Sequence, residues 1–317
     1  METEKGNSLW LDAWMRLKKN KMAIISLWIF LIMAAICFIL PMIDAITKTN
    51  ILPDPTSQDL PNSFAPPSKE HWLGKDASGR DLLSRVIYGG RVSLLCGIIA
   101  AFVATFIGII YGAVSGYIGG KLDSFLMRIV DILYSLPYLI VVILFFRLLS
   151  GLLTEPKKYL IKELKWSEVT ANILINIIPL CVVIGALGWF TMARALRTQA
   201  LATKKLEYIE AARSLGLSHS RILFRHILPN LLGTIIVYST LTIPGFILTE
   251  STLSFLGIGV EAPFSSWGSM LTEGSKSLET QPRVLIIPAI AFSITLFSLN
   301  FLGDGLRDAL DPKSSKD

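Results

Sequence analysis

Histidines, cysteines and acidic side chains are the residues from which this chain could build a reaction centre, and their spacing builds none. His71, His219 and His226 form no H-E-x-x-H pair, the spacing that sets two imidazoles on one helical face around zinc. His219 and His226 stand seven apart in a polar stretch, which suits surface contacts better than metal ligation. Cys37, Cys96 and Cys181 lie inside apolar runs and offer neither a disulfide framework nor a metal spacing. Gly119-Gly120-Lys121 continues with Leu122 and lacks the upstream glycine of a phosphate-cradling loop. No G-x-S-x-G marks a nucleophile elbow. The chain is therefore expected to be no enzyme, with no catalytic residue, no metal site and no hydrolysis of ATP.

What remains is a stretch built for contact. Glu210–Pro229, EAARSLGLSHSRILFRHILP, is the one long polar interval in the second half of the sequence. It reads as two short helices about a hinge. Tyr208–Leu215 is helix-prone, with Ala211 and Ala212 as a small-residue face that another surface could approach. Gly216 stops that helix, because glycine accepts the left-handed conformation after a helix C-terminus. Ser218 or Ser220 can cap a second helix, which Pro229 would end. Three ionisable residues stand in or beside apolar runs: Arg128 and Asp131, three apart and able to pair, and Glu250. A pathway or subunit contact is open for all three. For Glu250, in PGFILTESTLSFLGIG, a carboxylate hydrogen-bonded to the following loop is equally open.

The elements that carry these residues are apolar. The chain is 52% hydrophobic and only 17% charged, below the roughly 25% usual in soluble domains. Six runs are long enough to cross a bilayer, which takes about 20 residues: Met22–Ile43, Val92–Tyr117, Phe125–Leu149, Ile173–Ala193, Leu231–Thr249 and Val284–Leu302. The expected fold is all-α and polytopic. The net charge of +6 calls for no nucleic acid, since Lys and Arg cluster beside the runs, before the first and around Glu210. With six spans the positive-inside rule puts both termini and the Glu210 stretch in the cytoplasm.

In order, the chain divides into a cytoplasmic segment (1–21), a first span (22–43), an external segment (44–91), a core of five spans (92–302) with a cytoplasmic loop at 194–230, and a cytoplasmic tail (303–317). Trp10, Trp14 and Leu17 suggest an interfacial helix before the first span. Prolines 53, 55, 61, 66 and 67 suggest an extended outer segment, ending in an interfacial helix that enters the second span through Gly89-Gly90. Trp267 is expected at the headgroups. Thr154–Glu168 is a charged insertion between the third and fourth spans.

Glu210-Ala211-Ala212, Gly216 and Leu228-Pro229 resemble the EAA loop of bacterial ABC-importer permeases, whose pattern is EAA-x3-G-x9-I-x-L-P. His226 replaces the isoleucine, and His226-Ile227-Leu228-Pro229-Asn230 resembles the dipeptide/oligopeptide/nickel branch, in particular its C-type permease. HWLG at 71–74, GRDLLSR at 79–85, LSFLG at 253–257 and GDGLRD at 303–308 strengthen the likeness. The resemblance implies a type I permease fold in the bacterial inner membrane. It implies a second, homologous permease, two cytoplasmic ATPase subunits that hold ATP and Mg, and an external solute-binding protein. The loop would then be the coupling helix. Glu210, Ala211, Ala212, Gly216, His226, Leu228 and Pro229 would be its motif positions, and Arg213, Arg221 and Arg225 would pair with acidic groups on an ATPase subunit. Peptides are the implied substrate, with nickel or another small solute behind them. A channel or secondary carrier would account for six spans but not for such a loop.

Overall fold

The computed structural model describes residues 9–47, 52–162, 171 and 173–310. Helices α1 (Leu9–Lys19), α2 (Lys21–Thr47), α3 (Leu82–Ile118), α4 (Gly120–Tyr134) and α5 (Tyr138–Lys162) make the first half. The second half comprises α6 (Ile173–Leu187), α7 (Phe190–Thr203), α8 (Glu207–Ser214), α9 (His219–Phe255), α10 (Trp267–Ser275) and α11 (Arg283–Leu310). Helices α2, α3, α5, α9 and α11 are each long and apolar enough to span a membrane, and α6 with α7, bent by 43°, makes a sixth.

The axis of the bundle is α3. Its 37 residues are about 55 Å long at 1.5 Å per residue, well beyond the hydrocarbon core. The expected interfacial helix is simply its first turns, capped by Asp81, whose carboxylate accepts from the Ser84 N–H at 2.7 Å. No joint forms at Gly89-Gly90. Those glycines are instead where α10 crosses, and a β-carbon on Gly90 would meet the Trp267 ring and the Cys37 sulfur. Trp267 is therefore not at the headgroups but fully buried, its indole N–H donating to the Val86 carbonyl at 3.0 Å. Further along α3, Gly108, Gly112 and Gly116 form a stripe at four-residue spacing. A β-carbon on any of them would overlap Met192, Ala193 or Arg197 of α7, so α3 and α7 approach backbone to backbone.

Three other expectations are corrected. The segment expected outside, described from residue 52, is irregular but folded rather than extended. Asp76 is fully buried beneath it and accepts from the Arg80 and Ser78 N–H groups, from Arg80 Nε at 2.9 Å and from Arg85 Nη1 at 2.5 Å. Glu273 of α10 takes the remaining guanidinium edges of both arginines, Arg80 Nη2 at 2.8 Å and Arg85 Nη2 at 3.0 Å. Nearby, the ammonium of Lys75 at 2.6 Å holds the Asp59 carboxyl below its usual range. Prolines thus suppress long helices here without preventing a fold, because buried ion pairs act together with backbone bonds between distant turns, such as Phe64 N–H to the Asp76 carbonyl and Lys75 N–H to the Ala65 carbonyl. The third expected span is broken, α4 ending at Tyr134 and α5 starting after Pro137, since a residue before proline is pushed out of the helical region. Finally, two helices outrun their apolar runs. Helix α5 continues to Lys162 through the first half of the charged insertion, whose residues 163–168 lie outside the described set. Helix α11 continues to Leu310, where Ala309 packs with Leu17 and Ala23. Leu17 thereby faces protein, while Trp14 stays exposed and the Trp10 side chain lies outside the described set.

Candidate functional site

Between α7 and α9 the chain makes a short rigid structure at one end of the bundle. Leu215 caps α8 and Gly216 follows at φ 77°. The Gly216 N–H bonds to the Arg213 carbonyl at 3.0 Å and the Leu217 N–H to the Ala212 carbonyl at 3.2 Å. This pair of bonds is the Schellman arrangement expected from the glycine. Ser218 occupies the cap position of the next helix through its backbone alone, its side chain making no capping bond.

Pro229 does not end that helix. Helix α9 runs unbroken from His219 to Phe255, with a π-turn at Leu223–Ile227 immediately before the proline. The wider turn shifts the hydrogen-bond register where Pro229 can neither donate nor tolerate the usual carbonyl beneath its ring. The same device, a π-turn at Ile173–Ile177, precedes Pro179 in α6.

The two alanines part company. Ala212 is buried with Ile209, Ile222, Ile227 and Leu231 against Tyr117, Met192 and Leu196, so the small face lies on the chain's own bundle. Ala211 points outward with Glu210, Arg213, Arg221 and Arg225, all exposed. Beside them stand Leu215 at 80% exposure and Phe224 at 68%, apolar side chains that periodicity assigned no role. His226 and Leu228 are half-buried, Leu228 against the same apolar cluster. Two polar contacts fix the unit: Tyr117 Oη to His219 Nδ1 at 2.8 Å, and Asn230 Nδ2 donating to Tyr208 Oη at 2.9 Å. Asn230 was legible as the last residue of the motif, whereas Tyr117 was not, because it acts across 102 positions.

Asp131 does not pair with Arg128. Its carboxylate accepts from Arg194 of α7 at 2.6 Å, and Arg194 also lies over the Tyr134 ring at 4.6 Å. Arg128 is exposed. About two turns nearer the start of α4, outside the spans, Asp123 accepts from Arg197 at 2.5 and 2.6 Å, which holds its carboxyl below the usual range. Both ion pairs tie α4 to α7.

Glu250 is fully buried. Its carboxylate accepts from Ser93 at 2.9 Å and Ser254 at 2.7 Å, and Ser93 in turn accepts from the Trp267 N–H at 3.2 Å. These partners lie on α3 and on α9 itself rather than in the following loop, and through Ser93 the residue ties α3 and α9 to the start of α10. Glu250→Ala would orphan several buried donors at about 1–3 kcal/mol each. The midpoint of thermal unfolding should therefore fall by several degrees, with substrate preference unchanged. An altered preference at unchanged stability would assign Glu250 to the pathway instead. Among the described residues no cluster of His, Cys, Asp and Glu could hold a metal ion.

The chain carrying this arrangement is similar in sequence to known proteins. Residues 93–316 match the family described as binding-protein-dependent transport system inner membrane component, and residues 8–67 match the N-terminal TM domain of oligopeptide transport permease C. The chain belongs to this family of inner-membrane permeases. Within it, the chain is 45% identical over 309 residues to the oligopeptide transport system permease protein OppC of Salmonella typhimurium, covering 98% of this chain and 93% of that one. It is 42% identical to the dipeptide transport system permease protein DppC of Bacillus subtilis (95% and 85% covered). It is 38% identical to the glutathione transport system permease protein GsiD of Shigella flexneri (96% and 90% covered).

Proposed function

We propose that this chain is one of two permease subunits of an ATP-driven peptide importer, with α8 and the start of α9 as its coupling element. The observation that carries the reading is the division of α8 into two faces. Ile209 and Ala212 seat it on the bundle, while Glu210, Ala211, Arg213 and Leu215 face outward on a turn stiffened by Gly216. A linker would not need both. Motion of an ATPase subunit gripping the outer face is passed through the buried cluster to α3, α7 and α9, the bistable arrangement that alternating access requires. ATP and Mg belong to two cytoplasmic ATPase subunits, and an external binding protein delivers di- or oligopeptides. Both termini and the 194–230 loop are cytoplasmic, and 44–91 is external.

The test is reconstitution of this chain in vesicles with its second permease, ATPases and binding protein. ATP-driven peptide uptake is expected, and the purified chain alone is expected to show no ATPase turnover. Glu210→Lys should abolish uptake at unchanged abundance. Its local cost at a helix N-terminus is only about 0.3–1 kcal/mol, too little to unfold the chain. Normal uptake by this variant, or turnover by the isolated chain, would overturn the assignment.

A further inference from the structure

Three irregularities in three different spans meet around one cavity. The gap at Ser135–Pro137 separates α4 from α5, the bend at Gly188-Trp189 separates α6 from α7, and Pro244-Gly245 interrupts the bonding of α9. The first two are stitched together. The Gly188 N–H turns to the Gly185 carbonyl at 3.1 Å, and Tyr138 Oη donates to the Ile184 carbonyl at 3.0 Å. Between these breaks opens a cavity of about 620 Å³, within the size range of small-ligand sites.

Its chemistry is specific in what it leaves out. Aliphatic and aromatic side chains line it together with the hydroxyls of Tyr134, Tyr138, Thr191, Thr242 and Thr249, and none of its lining residues carries a charge. Beside the lining residue Tyr134, Arg194 and Asp131 neutralise each other. In so poorly hydrated a space a fixed charge would favour substrates of one sign and reject the other. Tyr138, Thr242 and Thr249 already donate to backbone carbonyls and present lone pairs that can accept peptide N–H groups, while the hydroxyls of Tyr134 and Thr191 can donate to peptide carbonyls, whatever the side chains.

We infer that this cavity is the chain's wall of the translocation path, and that it takes peptides by their main chain, with its absence of charge admitting acidic and basic side chains alike. The inference rests on the peptide-importer reading and extends it to named residues. The two breaks and the proline within α9 give the wall its freedom: helices weakened at one level can change tilt there without unpacking the glycine stripe between α3 and α7.

The experiment places a charge on the wall of the complete reconstituted importer. Thr191 is exposed in the cavity, beside the bend. Thr191→Asp is expected to slow uptake of acidic tripeptides roughly tenfold relative to basic ones, and Thr191→Lys to do the reverse. Neutral tripeptides should respond equally to both. Thr191→Cys covers the case in which a charged variant fails to assemble. The native cysteines are buried, so anionic or cationic thiol reagents can charge the wall after assembly, with the same sign-dependent outcome. Equal effects on all peptides, or none, from an assembly that imports peptides would overturn the cavity assignment. A wild-type assembly importing no peptide would instead overturn the functional reading beneath it.

Discussion

Gly216→Pro is expected to reduce peptide uptake to background while the protein still inserts into the membrane at normal abundance. The glycine sits at φ 77°, whereas proline is fixed near −65°. The substitution also removes the N–H that bonds the Arg213 carbonyl. Helix α8 would lose its terminating turn and the angle at which Glu210 and Leu215 are presented. The buried seat at Ile209 and Ala212 lies on the preceding turn and should survive. A graded series separates backbone strain from bulk, because nothing lies within 4 Å of a β-carbon at this position. Asparagine, which visits the left-handed region more readily, should retain more uptake than alanine, for which that region costs about 1–2 kcal/mol. Wild-type uptake by the proline variant would rule out the geometric role of the turn, as would loss from asparagine equal to that from proline.

Asp76→Ala should be the most destabilising single change outside the spans. Asp76 is the buried carboxylate between two buried guanidinium groups, and its removal leaves Arg80 and Arg85 with Glu273 alone. Breaking a buried pair from one side costs about 3–5 kcal/mol. The outer segment should then come away from α3 and α10, read as new protease cleavage between residues 52 and 81 and as a lower thermal midpoint. Asp76→Asn keeps an acceptor for the Ser78 and Arg80 N–H groups and should lie between. Unchanged protease resistance in Asp76→Ala would mean that the glycine turns and Arg283, which donates to the Phe64 and Ala65 carbonyls, hold the segment without it.

The candidate site was legible where its signals are local. Glycine at 216 admits the left-handed turn that ends α8, a property of the residue itself. Even so, Ala211 and Ala212, adjacent in the motif, take opposite environments, which the motif does not encode. Pro229 misled for a related reason. Its penalty is local, but a π-turn just before it absorbs the mismatch, and the sequence carries no mark of that turn. Leu215 and Phe224 escaped notice because an exposed apolar residue differs from a buried one only in what fails to cover it.

By itself the sequence determined the class: apolar runs of membrane length, charges that bracket them, and a helix–glycine motif that identifies the family. Each is a property of neighbours along the chain. The tertiary structure decided the partners of the charges. Asp131 joins Arg194 across 63 positions, Glu250 joins Ser93 across 157, and Arg85 joins Glu273 across 188. It also decided that Trp267 is core rather than interface, and that two helix breaks and a mid-helix proline border one uncharged cavity. Such outcomes depend on which helices touch. That is set by glycine stripes and side-chain fit summed over the whole bundle, and no window of sequence contains it.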